Sequence, residues 1–180
     1  QDGISNYFRS LRHVYRFFIF FQFKVAQFWQ PDCFEVNPVD LLGLEALCLF
    51  EPNIYERLPS VKRELTRDEG TLMFKPISQT EITSTIEHLV QSVPADRQPQ
   101  VRSTLGILFP STSDAFDSEN GVTAHKEQWL IKRRVCHFDL FDKFFADDIL
   151  VKGLLNLKNV EIFHNLSGIS FNGEKELHSV

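Results

Sequence analysis

Phe17 to Trp29 reads FFIFFQFKVAQFW, and no other stretch constrains the fold as strongly. The run is too short to span a bilayer, which takes about 20 apolar residues. Gln22, Lys24 and Gln27 also interrupt it. No small-residue cleavage site follows, as a secretory signal would require. A helix apolar around most of its circumference has to be enclosed by other protein. The run therefore predicts a helix buried on most of its sides, with an interfacial membrane helix as the alternative reading.

Composition agrees with a helical chain. There are 18 Phe but only 8 Gly in 180 residues, below the usual Gly share of roughly 7%. That balance leans away from a turn-rich β-sandwich. The length suits one domain, or one domain with a short appendage. The expected fold class is mainly α, an irregular helical bundle, with a possible small β-hairpin near the C-terminus within residues 160–171. The chain has one Met, Met73, and begins with Gln1; it reads as a piece of something larger.

The net charge of −5 is unevenly distributed. Residues 1–30 hold Arg9, Arg12, Arg16 and Lys24 against one acid, Asp2, a balance of +3, and the other 150 residues carry −8. Mild overall acidity argues against a nucleic-acid partner. Cys33, Cys48 and Cys136 form no C-x-x-C pair and sit among apolar neighbours. They read as small buried hydrophobes in a reducing compartment, here the cytoplasm. The six His show no metal-ligand spacing, so no metal site is expected.

Apolar spacing of three and four predicts a first helix from Ile4 to about Trp29. Within it Arg9, Arg12 and Arg16 would share one face. Asn37-Pro38 supplies an N-cap and a favourable first helical residue. That second helix runs to about Phe50, with Asp40 in its first turn, where the dipole favours a carboxylate. Glu45 lies inside it and needs a partner if buried. A short helix is expected over residues 53–61, then a charged surface connection to Lys75. Ser78 and Glu81 make a capping-box pattern before Ile82, Ile86, Leu89 and Val93. Further helices are expected over 99–109, 124–134 and 149–157. Ser111 to Thr123 reads as a loop. Over 138–145, Phe138, Phe141, Phe144 and Phe145 align as one stripe.

Catalytic signatures are lacking. Gly168 and Gly173 have phosphate-loop spacing, but Glu174 stands where the lysine belongs. Asp147 and Asp148 are adjacent and point to different helix faces. The arginine row Arg9, Arg12 and Arg16 is the most suggestive polar feature. It fits salt bridges to neighbouring acids, or contact with a phosphate or an acidic partner. Arg133 and Arg134 are expected to form structural ion pairs with buried acids such as Glu45 or Glu51.

Several segments together resemble a family. Asn37 to Tyr55, NPVDLLGLEALCLFEPNIY, is similar to a segment that follows the nucleotide-binding core of KAP-type P-loop NTPases. Leu105 to Pro110, LGILFP, resembles that family's later L-x-x-L-F-P. Arg133 to Phe145, RRVCHFDLFDKFF, resembles its R-R-I-C-x-x-x-x-F-D-x-Y-F. Tyr7 to Phe17, YFRSLRHVYRF, is similar to the arginine-bearing helix just after the core. Cys48 stands where the family often carries Arg, and Lys143-Phe144 replace Arg-Tyr. No Walker A or Walker B element is present.

The resemblance implies that residues 1–145 are a helical lid or regulatory region following an NTPase core that is absent from this chain. Residues 146–180 would be a C-terminal extension. It implies ATP and Mg as cofactors of the full-length parent and none in this chain. The partners implied are the missing core and a further protein or a second copy. Arg9, Arg12 and Arg16 would lie where a lid arginine senses bound nucleotide. The alternative is a standalone helical interaction module using Phe-rich surfaces.

Overall fold

In a computed structural model of the chain, the described residues are 4–31, 33–67, 77–112 and 119–145, the last with side chains from residue 125. They all fall within one compact unit, residues 1–145. The expected hairpin within 160–171, the helix over 149–157, the Gly168–Gly173 lookalike and Asp147-Asp148 lie outside the described residues.

The predicted first helix is two pieces. Ile4–Tyr7 is a 3₁₀ turn and α1 is Leu11–Phe28. Ser10 causes the break. It is extended, with φ −155° and ψ 157°, and its side chain accepts a hydrogen bond from the His13 N–H. A serine in that geometry caps a helix rather than continuing one. Tyr7 turns back and stacks on Phe50, ring centroids 5.1 Å apart.

α2 is Pro38–Phe50, capped as its sequence predicts: Asn37 Oδ1 accepts from the N–H groups of Val39 and Asp40 at 3.0 and 3.2 Å. Glu51 then faces Pro52, which opens the single turn α3, Pro52–Tyr55. A 3₁₀ turn over Leu58–Val61 leads into α4, Lys62–Thr66, a short helix within the charged connection. Arg67 ends α4 in the left-handed region, φ 46°. α5, Gln79–Gln91, carries the full capping box between Ser78 and Glu81. α6 is Gln98–Leu108, followed by a 3₁₀ turn over Pro110–Thr112. α7, Glu119–Ile131, begins five residues earlier than expected, inside the segment read as a loop. α8 is Phe138–Phe141, continued as a 3₁₀ turn over Asp142–Phe144. Among the described residues there is no strand, only an isolated bridge between Trp29 and Phe34. The bundle is mainly α.

α2 is the axis of the packing. Leu41, Leu44 and Leu47 are buried in one cluster with Leu105, Leu108 and Phe109 at the end of α6 and with Phe141 and Phe144 of the last segment. Gly43 makes the approach possible: a Cβ there would meet Leu108 Cδ2 at 2.9 Å. On its other side, Ala46 packs with Phe17 of α1 and with Tyr7.

Two aromatic expectations are corrected. The Phe stripe is split: Phe141 and Phe144 are buried, Phe145 is half-buried, and Phe138 is exposed with the Lys62 ammonium 3.7 Å above its ring. α1 is buried on one side only, through Phe17, Lys24 and Phe28. Leu11, Tyr15 and Phe23 are 75%, 70% and 72% exposed. Of the cysteines, Cys136 is buried, Cys48 half-buried and Cys33 exposed. Burial pushes the Cys136 thiol up to about 12, so it is an inert core group.

Candidate functional site

Ser10 decides how the three arginines are arranged. Because α1 starts at Leu11, Arg9 precedes the cap and does not share the helix face of Arg12 and Arg16. Those two lie one turn apart on α1. All three arginines are exposed, and none pairs with a described acid.

Around Arg12 and Arg16 the helix surface is apolar. Tyr15, Phe18, Ile19 and Phe23 are exposed on the same side as Leu11. From Gly3 to Pro31 the chain carries no Asp or Glu. A surface helix ordinarily turns charged residues to water. Here the outward face is aromatic and its only ionic groups are guanidinium.

The second polar feature is structural. Asp40 is fully buried, and Arg134 Nε donates to its Oδ1 and Oδ2 at 2.9 and 2.7 Å. The Val135 N–H donates to Oδ2 at 2.8 Å, and Arg134 Nη2 reaches the Ile107 carbonyl at 2.7 Å. One guanidinium thus joins the start of α2, the end of α6 and the turn after α7. Burial raises the Asp40 carboxyl above its ordinary value, opposed by Arg134 and by the Val135 N–H.

Arg133 completes this junction from the backbone. Its φ of 53° is left-handed and ends the helical turn. The Arg133 carbonyl accepts from the Asn37 N–H, and the Lys132 carbonyl from Asn37 Nδ2, both at 2.9 Å. Its own guanidinium donates to the Phe34 carbonyl.

Of the acids expected to receive Arg133 and Arg134, Glu51 has another partner. Glu51 is buried and bonded by Arg97 at 3.0 Å, and Arg97 also reaches the Phe50 carbonyl at 3.4 Å. Burial raises Glu51 as well, with Arg97 opposing. Glu45 is buried on α2. The first-turn position of Asp40 is by itself sufficient reason for a carboxylate, so its sequence neighbours point only to the helix dipole. Only the tertiary approach of Arg134 gives it a second role. Tyr7 adds a phenol beside Glu51 and Arg97, raised by burial first and then by the Glu51 charge.

None of these groups forms a nucleophile–base pair. Among the described residues, no group of three or more His, Cys, Asp or Glu is placed to hold a metal ion. No described helix is long and apolar enough to cross a membrane. A depression bounded by Arg63, Glu64, Thr80 and Ser84 opens between α4 and α5. It holds no arrangement recognisable as catalytic. No protein-family model, no curated protein and no solved structure matches the chain.

Proposed function

We propose that this chain is the helical lid or regulatory region of a KAP-type P-loop NTPase. It would couple nucleotide state to a partner from the cytoplasm and would not be catalytic alone. The observation that carries the reading is the outward face of α1. It bears Arg12 and Arg16 with no described acid to neutralise them, on a surface of uncovered aromatic rings. An arginine presented by a lid can stabilise the charge that changes when a γ-phosphate is cleaved. Contact in cis needs little area, because a tether supplies a high effective concentration.

The residues that carry the resemblance also fit a scaffold that holds such a lid rigid. Asn37, Asp40, Glu51 and Arg134 each join separate elements. ATP and Mg would belong to the core of the parent.

The test is Arg12→Ala in the full-length parent. ATPase turnover falls by more than stability does. Unchanged turnover at saturating ATP removes Arg12 from the site. The 180-residue chain alone neither binds ATP tightly nor hydrolyses it.

The same exposed rings support a second reading, a standalone helical interaction module. Gel filtration separates the two. A monomer at all concentrations favours a self-contained module, and concentration-dependent association favours a face bared of its core.

A further inference from the structure

We infer that the outward face of α1 docks the chain on an anionic lipid surface. The helix is 18 residues, about 27 Å at 1.5 Å per residue. By helical periodicity its exposed positions cover an arc of about 160°. Leu11, Tyr15, Phe18, Ile19 and Phe23 share that arc with the exposed Gln22 and Ala26, and Trp29 extends it past the C-terminal end. Arg12 and Arg16 stand on one flank, and Arg9 lies just before the cap. This is the chemistry of an interfacial helix: apolar and aromatic groups for the acyl boundary, guanidinium groups for phosphate headgroups.

Charge selects both the lipid and the orientation. No carboxylate lies between Gly3 and Pro31, whereas the chain beyond residue 30 carries −8. The α1 segment is therefore a stretch whose net charge favours an anionic bilayer. Area argues against a stable dimer as occupant, as distinct from weak association at high concentration. One helix face of about 27 by roughly 10 Å offers a few hundred Å², whereas a stable pairing takes roughly 800 Å² per partner. A bilayer needs no such threshold, since each ring inserted adds its own transfer free energy.

The face is the one the NTPase reading gives to the core, so core and bilayer would be alternatives there. The inference itself is decided without nucleotide. The full chain is sedimented with vesicles of equal parts phosphatidylcholine and phosphatidylglycerol, and with phosphatidylcholine alone. It sediments with the mixed vesicles at least about tenfold better, and release follows at about 1 M salt, where screening acts beyond about 3 Å. Arg12→Gln with Arg16→Gln weakens partitioning roughly 20- to 30-fold, and Phe23→Ser about tenfold. Arg102→Gln, on α6 and paired with Glu87, changes nothing. In a Trp129→Phe background, Trp29 emission shifts to the blue with the mixed vesicles only.

Four results overturn the inference. They are no sedimentation with the mixed vesicles, equal sedimentation with both lipids, binding that survives the α1 substitutions, or a lipid-free dimer that buries Trp29.

Discussion

Arg134 Nε lies 2.7 Å from Asp40 Oδ2, across 94 residues of sequence. The carboxylate has no exposed surface, while the Arg134 side chain keeps 21% exposure. Arg134 and the Val135 N–H are therefore the hydrogen-bond partners that compensate the burial of Asp40.

Replacing Asp40 by Ala strands a guanidinium and a buried N–H together. Loss of one member of a buried pair costs about 3–5 kcal/mol. Urea unfolding of Asp40→Ala should show that loss at an unchanged denaturant slope. A cost below about 1 kcal/mol would mean the junction is held by packing alone.

The raised carboxyls make stability depend on pH with a definite sign. Asp40 and Glu51 both titrate above their ordinary values of 3.8 and 4.5, because burial outweighs their arginine partners. Between the ordinary and the raised value, the folded chain holds the proton that the unfolded chain has released. Stability from these two groups is complete below the ordinary values and is lost as pH rises through the raised ones. Asp40→Asn should flatten this part of the pH profile, as followed by denaturant midpoints. A profile equally steep in Asp40→Asn would assign the dependence to other groups.

Two glycines on helices predict opposite outcomes. Gly106, on α6, has nothing within 4 Å of an added Cβ. Gly106→Ala should stabilise the chain by about 0.5–1 kcal/mol through helix propensity. Gly43 would drive a Cβ to 2.9 Å from Leu108 Cδ2, inside the core. Overpacking there costs about 1–3 kcal/mol against a propensity gain near 1 kcal/mol. Thermal melts should rise for Gly106→Ala and stay level or fall for Gly43→Ala. The reverse order would contradict the tight α2–α6 approach.

The Ser78 cap offers a local test of the same kind. Its hydroxyl accepts from the Glu81 N–H at 3.3 Å, and Glu81 Oε2 accepts from the Ser78 N–H at 2.8 Å. Ser78→Ala should cost about 1 kcal/mol. An unchanged melting point would show that α5 is held by packing of Ile82, Leu89 and Val90.

These elements also show how far sequence reasoning reached. Caps are local chemistry, so Asn37-Pro38 and Ser78-x-x-Glu81 marked α2 and α5 within a residue. The break at Ser10 was missed because the apolar period of α1 continues smoothly backward through Phe8 and Ile4. A capping serine there competes with a pattern that favours helix. The start of α7 was missed because Glu119 to Val122 carries Gly and Asn, which read as turn signals. Partner choice was the least legible. Arg134 was recognised as a structural ion pair, but Asp40 already had a sufficient local explanation. The bare face of α1 was hidden for a related reason, since its apolar period is the same whether a face is covered or open.

The proposed function requires an NTPase core to precede this helical region, and the coding sequence directly upstream of Gln1 tests it. The account predicts an open frame, continuous with this one, that contains G-x-x-x-x-G-K-[ST] and a later acid-ended strand. An in-frame start close to Gln1 with no such loop would contradict it.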